Sequence, residues 1–161
     1  MCLWRVIKRL FYSGTRSIYS KDSYYLKNVE YKDTVVFIPP ITHGKVIKVY
    51  DGDTITIASR LSCKDKNSPI YRFRVRFAGI DSPEIKGDSV KECALAIKSR
   101  DALHTLIFGK IVELKNNGTE KYGRLLADVY LNNIHVNQWM LDKKLAVKYN
   151  GGKKNRPPDW D

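Results

Sequence analysis

The feature that most constrains the fold is a stretch in which arginine alternates with apolar residues. Residues 72–77 read Arg-Phe-Arg-Val-Arg-Phe. Successive side chains of a β-strand point to opposite faces, so the pattern predicts a half-buried strand with one packed face and one face of guanidinium groups. The chain has 161 residues and is 43% hydrophobic. That is enough to bury the packed face in one domain with a real core.

A hairpin is predicted earlier in the chain. Residues 46–50 and 54–58 carry alternating β-branched residues, and Asp51-Gly52-Asp53 lies between them. Asp-Gly between two such runs is a common hairpin signal.

The second half of the chain predicts two helices among further strands. Ser89 followed by Glu92 fits a capping box, and the apolar spacing after it predicts a helix through Phe108 that Gly109 ends. The other predicted elements are strands at 111–114 and 125–131, a turn at Asn116-Asn117-Gly118, and a helix at 136–144.

Two carboxylate clusters stand out in this basic chain, Asp51-Gly52-Asp53-Thr54 and Asp81-Ser82-Pro83-Glu84, and Arg76 lies five residues before Asp81. A hard cation such as calcium needs oxygen ligands from more than one segment, and a remaining carboxylate can orient or deprotonate a water molecule. Arginine supplies a planar fork for phosphate oxygens. Together these residues outline a metal-assisted phosphodiesterase site.

A third motif, Lys121-Tyr122-Gly123-Arg124, precedes the strand predicted at 125–131 and places a second guanidinium at its edge. Two arginines and one cation could stabilise the charge that builds on the equatorial oxygens of phosphorus during in-line attack. Taken singly, each of the three motifs also fits an ordinary turn.

In their order and internal spacing, the motifs DGDT, R-x4-D-x-P-E and KYGR resemble the staphylococcal nuclease (thermonuclease) family, over about residues 45–149. The resemblance implies an α+β fold, a five-stranded OB-fold Greek-key barrel with two main helices. The chain departs from the family pattern in a shorter segment after Glu84, in Ser82 where threonine is usual, and in a tail without room for a long C-terminal helix.

The resemblance implies a metal site and a general base. It assigns calcium (Ca2+) to Asp53, Asp81 and the backbone carbonyl of Ser82, with Asp51 as an outer-shell carboxylate. It puts Glu84 in the position of the general base.

The resemblance also implies how substrate is held. Arg76 and Arg124 take the positions of the transition-state arginines, while Lys121 and Tyr122 match positions that touch a neighbouring phosphate. Tyr149 falls near a base-stacking tyrosine, although a tyrosine packed on the barrel fits equally well.

The implied activity is calcium-dependent, sugar-nonspecific hydrolysis of DNA and RNA to 3′-phosphate ends. The alternative is a catalytically idle nucleic-acid-binding OB domain. A formal net charge of +12 favours a polyanionic partner under either interpretation. No obligate protein partner is indicated.

The chain is expected to divide into a basic amphipathic extension at 1–40, a catalytic domain at 41–149 and a Gly/Lys/Pro-rich tail at 150–161. Residues 1–20 contain four basic and no acidic residues. They fit an anionic membrane surface, a mitochondrial-type presequence or a helix docked on the barrel, but lack the clean apolar core of a secretory signal. An intracellular location is therefore expected, and three scattered cysteines agree with it.

Overall fold

The computed structural model describes residues 23–62, 67–87, 89–152, 157 and 160. The chain forms two compact units, Met1–Phe37 and Ile38–Asp161. The amphipathic segment expected at residues 1–20 lies outside the described residues, and the domain boundaries expected at residues 40 and 149 stay predictions.

The described part of the first unit is short. Residues 23–26 are helical, and Tyr31–Asp33 form a 3₁₀ turn. The Glu30 backbone amide donates to Asp33 Oδ2 at 3.0 Å, which satisfies an amide at the start of that turn.

The second unit is built around a closed barrel of five strands. Within the described residues the barrel strands are β1 (His43–Val49), β2 (Thr54–Ser59), β3 (Tyr71–Phe77), β5 (Ile111–Thr119) and β6 (Leu125–Leu131). The short strands β4 (Ile80–Asp81), β7 (Ile134–His135) and β8 (Val147–Lys148) lie beside them in the sequence. Neighbouring strands pair in the order β3-β2-β1-β5-β6-β7, and a parallel pairing of β3 with β6 closes the barrel. The predicted five-stranded OB-like barrel is confirmed.

The alternating pattern of β3 decides which side chains enter the barrel. Val75 and Phe77 are fully buried, while Arg72 and Arg74 are exposed. The core continues through the other barrel strands and includes Leu103 and Met140 from the two helices. Burial of the apolar face of each strand therefore fixes the outward direction of the arginines.

Two helices flank the barrel, as predicted. Helix α1 spans Val90–Ile107, and Ser89 Oγ caps it by accepting a hydrogen bond from the Glu92 amide at 2.9 Å. Helix α2 spans Val136–Asp142 and ends two residues earlier than predicted, because Lys144 adopts a positive φ of 55°. No helix in the described ranges is long and apolar enough to cross a membrane.

The turn predicted at Asn116-Asn117-Gly118 is wrong, because β5 continues through these residues. The pairing of β5 with β6 shifts register between Lys115 and Gly118, and Asn116 has a φ of 53°. Asn116 Nδ2 donates to Asp128 Oδ2 at 2.7 Å, and Asn117 Nδ2 donates to the Ile41 carbonyl at 2.6 Å. These residues form a β-bulge, in which turn-forming residue types serve a strand.

A buried asparagine connects α2 to the strands beneath it. Asn137 Oδ1 accepts from the Val129 amide at 2.9 Å, and Asn137 Nδ2 donates to the carbonyls of Ala78 and Ala127 at 2.9 and 3.3 Å. Asn137 is 3% exposed. Its amide group thereby supports the turn between β3 and β4, which leads to Asp81.

We predict that Asn137→Ala lowers the free energy of unfolding by about 2–3 kcal/mol, because it leaves buried backbone groups without partners. Denaturant unfolding followed by circular dichroism measures the change. Asn133→Ala is the matched control, since Asn133 is exposed, and it should shift stability by no more than about 0.5 kcal/mol. Equal effects of the two substitutions would contradict the role given to Asn137.

Candidate active site

Arg76 lies at the centre of a buried ion-pair cluster. Its Nη1 donates to Asp53 Oδ1 at 2.6 Å, and its Nη2 donates to Asp81 Oδ1 at 2.8 Å. The Arg76 side chain is only 13% exposed. One planar guanidinium thus joins the two carboxylate motifs predicted from sequence.

The barrel register explains why these residues meet. Arg76 pairs with Thr54 across β2 and β3, which places it beside Asp53. A turn through Gly79, whose φ of +75° suits glycine, then reverses the chain and returns Asp81 to the same guanidinium.

The two carboxylates favour the charged form of Arg76. Burial works against its charged form, but the charges of Asp53 and Asp81 and their hydrogen bonds outweigh this effect and raise the pKa of Arg76. The guanidinium is therefore held in its charged form inside the cluster.

Asp53 also joins its own turn to the segment that follows β4. Its Oδ1 accepts from Thr54 Oγ1 at 2.8 Å, and its Oδ2 accepts from the Ser82 amide at 3.0 Å. The Phe77 amide donates to the Asp53 carbonyl at 2.8 Å. With Asp53 2% exposed, both its side chain and its backbone are fixed.

Gly52 allows the Asp51–Asp53 turn to lie directly against α1. A Cβ at position 52 would stand 2.0 Å from Ser99 Oγ and 2.8 Å from the Ser82 side chain. Ser99 Oγ in turn donates to the Leu145 carbonyl at 2.7 Å. A larger residue at position 52 would have to displace this buried contact.

The carboxylate of Asp51 lies in a region of crowded negative charge. Its Oδ1 accepts from the Asp53 amide at 3.0 Å. Burial, followed by the charge of Asp53 and more weakly that of Glu84, raises the pKa of Asp51 to about 7. A bound cation would relieve this repulsion.

The oxygen atoms of Asp51, Asp53 and Asp81 match the chemistry of a hard cation such as calcium, which prefers carboxylate and carbonyl oxygens. In this structure Asp53 and Asp81 each direct one oxygen to Arg76. Among the described residues, no three carboxylate, histidine or cysteine side chains are grouped closely enough to form a ready-made metal site. The oxygens fit a metal in kind, and a metal held by Asp53 and Asp81 would compete with Arg76 for them.

The segment that carries Glu84 is anchored to the first turn of α1. The Glu84 amide donates to Glu92 Oε1 at 3.3 Å, and Glu92 is 2% exposed. The Glu84 side chain itself is exposed at the cleft. The sequence identified Glu92 only as part of a helix cap, and nothing in the local pattern indicated its contact with the Glu84 segment.

Arg124 is held by a carboxylate that the motifs did not reveal. Arg124 Nε donates to Glu120 Oε1 at 3.0 Å, and Nη1 lies 3.4 Å from Thr54 Oγ1. Partial desolvation opposes ionisation of Glu120, but hydrogen bonds from Arg124 outweigh it and lower the pKa of Glu120. The four-residue spacing of Glu120 and Arg124 is the sequence signal that could have identified this pair.

A short two-stranded sheet brings the end of the domain to the same site. Asp81 on β4 pairs with Val147 on β8, and the Tyr149 amide donates to the Gly79 carbonyl at 2.9 Å. The Tyr149 ring centroid then lies 5.8 Å from Arg76 Cζ. The ring therefore lines the cleft, and its stacking on a base stays a prediction.

The site residues predicted from the sequence line or adjoin a cleft of about 1020 Å³. Asp81 contacts the lining through Arg76, and Tyr122, which is 72% exposed, stands at the cleft with Lys121 Nζ 4.8 Å from its ring centroid. The other predicted residues in the lining are Asp51, Asp53, Arg76, Ser82, Glu84, Arg124 and Tyr149. The lining also includes Tyr50, Arg74 and Glu120, which the motif comparison had not placed there.

Comparison with known proteins shows which family the chain resembles. A family model described as staphylococcal nuclease homologue matches residues 74–159, more than half of the chain. The match includes Arg76, Glu84, Arg124 and Tyr149, and begins after the Asp51–Asp53 turn.

Individual relatives agree with the family match. A probable staphylococcal-like nuclease of rice, CAN2, is 37% identical over 81 residues, which are 50% of this chain and 20% of the relative. An uncharacterized endonuclease of Escherichia coli O157:H7 is 34% identical over 108 residues, 66% of this chain and 61% of the relative. Staphylococcal-like nuclease CAN1 of Arabidopsis thaliana is 37% identical over 78 residues, 48% of this chain and 22% of the relative. The chain thus spans less than two thirds of the length of each of these proteins. By the family match, the chain belongs to the staphylococcal nuclease homologues.

Proposed function

We propose that this chain is a calcium-dependent nuclease that hydrolyses phosphodiester bonds of DNA and RNA and leaves 3′-phosphate ends. The observation that carries the proposal is the cleft in which Glu84, Arg76 and Arg124 meet beside the buried pair Asp53 and Asp81. Family membership supports nuclease activity in general, and the net charge of +12 suits a polyanionic substrate.

The metal would be held by Asp53, Asp81 and the Ser82 carbonyl, with Asp51 nearby. When bound, calcium supplies Lewis-acid polarisation of a phosphate oxygen and of a water molecule. Burial, together with the charge of Asp53, raises the pKa of Asp51 to about 7, and a cation at this place would offset both the desolvation and the repulsion.

Glu84 has the exposure that a proton acceptor for an attacking water needs. Its carboxylate would take a proton as the water oxygen forms a bond to phosphorus, and the bond from phosphorus to the 5′ oxygen breaks. The Glu84 amide is held by Glu92, so the carboxylate projects from an anchored backbone.

The two arginines would stabilise the charge that develops on the phosphate oxygens. Arg124 donates to Glu120 through Nε and through its own backbone amide, and its Nη1 lies 3.4 Å from Thr54 Oγ1. Arg76 donates to Asp53 and Asp81, and a bound cation would compete for these same oxygens. Positioned donors of this kind act mainly on turnover.

We predict that cutting of single-stranded DNA and RNA requires calcium, ceases in chelator, and falls by about 10²–10⁴-fold in Glu84→Gln, because that substitution removes the proton acceptor. Gel analysis of the products, with phosphatase treatment of their 3′ ends, measures both rate and end chemistry. Glu113→Gln is the matched control, since Glu113 is exposed on β5, and it should cut at the parental rate.

Salt-sensitive binding without cutting in any metal would overturn the proposal and assign the chain to idle nucleic-acid-binding domains. If the products carry 5′-phosphate ends, the chain is still a nuclease, but the bond that breaks is not the proposed one between phosphorus and the 5′ oxygen.

We predict that Glu120→Ala lowers kcat by about tenfold with a smaller change in KM, because Arg124 loses the carboxylate that orients it. Glu120→Gln keeps one oxygen acceptor for Arg124 Nε and should recover part of the loss. Steady-state cleavage of a fluorescent oligonucleotide separates the two parameters. An unchanged kcat in Glu120→Ala would remove Glu120 as a positioning residue.

A further inference from the structure

A second group of cations and an aromatic ring adjoins the cleft at Tyr50. This ring is 50% exposed and lines the cleft next to Asp51. Lys48 Nζ lies 5.3 Å and Arg74 Cζ 5.4 Å from its centroid. We call these three residues the Tyr50 cluster.

The position of Arg74 follows from the pleat of β3. Arg74 lies two residues before Arg76 and pairs with Thr56, whereas Arg76 pairs with Thr54. Two residues of a strand span about 6.6 Å and return to the same face. Arg74 therefore continues the row of guanidinium groups outward from the centre of the site.

The Tyr50 cluster differs from that centre in its electrostatic surroundings. Arg76 is partly buried and paired with two carboxylates. Lys48 and Arg74 are exposed, and no carboxylate among the described residues lies within ion-pair distance of either. Their charges are thus available to a polyanion from solution.

We propose that the Tyr50 cluster binds the nucleotide next to the scissile phosphate of a single-stranded nucleic acid, with its base against Tyr50 and a phosphate held by Arg74 and Lys48. This inference rests on the proposed function for the identity of the neighbouring cleft. Every base has a π face, so stacking on Tyr50 tolerates any sequence.

The arrangement favours a single strand over a duplex. Bases in a duplex are stacked on one another, whereas an unpaired base can turn toward an aromatic ring. Cation–π contacts at exposed sites are weak. An incoming base can therefore displace a flexible lysine from the ring, and the released ammonium remains within reach of the phosphate.

The test is equilibrium binding of fluorescent single-stranded oligonucleotides to the full chain, measured by fluorescence anisotropy. A chelator is present so that the oligonucleotides are not cut. The series runs from about two to about eight nucleotides, at the lower end of the site sizes of OB folds. Tyr50→Ala should weaken binding by about 5- to 100-fold, with a loss that grows with oligonucleotide length, and Tyr50→Phe should retain the affinity because the ring remains.

In Arg74→Ala, the slope of log affinity against log salt concentration should become less negative by about 0.7, since one phosphate contact is lost. Arg100→Ala is the charge-matched control, because Arg100 lies on α1 and pairs with Asp101. It should leave the slope unchanged.

The two proposals fail in different ways. If Tyr50→Ala and Arg74→Ala bind every oligonucleotide as Arg100→Ala does, the Tyr50 cluster is not a binding site, even when the parent chain cuts DNA. If the Tyr50-dependent affinity is present but no metal supports cutting, the cluster stands and the nuclease proposal falls. A preference of the cluster for duplex over single strand would overturn the proposed occupant.

Discussion

The site depends on the bidentate contact of Arg76 with Asp53 and Asp81. Two carboxylates, 2% and 3% exposed, would repel each other strongly in a medium of low dielectric if no cation lay between them. Arg76 supplies that positive charge from within the chain and thereby allows acidic segments from two parts of the barrel to meet. Under the proposed function, a divalent cation would take over part of this neutralisation and free guanidinium donors for phosphate, which would couple occupancy by metal to the availability of the arginine.

Barrel closure places the second arginine on the same side. The parallel pairing of β3 with β6 sets Arg76 opposite Leu126, and Arg124 stands two residues earlier on the chain. Gly123, with a φ of +76°, ends the turn that delivers Arg124 to this strand. Arg124 Nη1 then comes to 3.4 Å from Thr54 Oγ1 on β2. Residues 54, 76 and 124 converge because three strands of one barrel converge there.

The sequence predicted the features that local periodicity and motif chemistry determine. The alternation at residues 72–77 specified which side of β3 is buried, and the acidic and basic motifs identified the groups that meet at the cleft. Their functional roles are separate hypotheses, which only chemistry can test. The bulge at Asn116 was missed because the same residue types form turns and bulges, and long-range pairing decides between the two.

Contacts between distant segments were the other features that local patterns did not reveal. The hydrogen bond of Glu92 to the Glu84 amide depends on how α1 meets the loop before it, and the place of Tyr149 depends on the pairing of β4 with β8.

The need for glycine at position 52 also depends on a distant segment, because Ser99 on α1 occupies the space that a side chain at position 52 would need. Ser99 Oγ in turn donates to the Leu145 carbonyl, two residues before β8 begins. Positions 52 and 99 therefore share one fixed volume, and related chains that carry a larger residue at either position must make room by a compensating change at the other or by moving the helix.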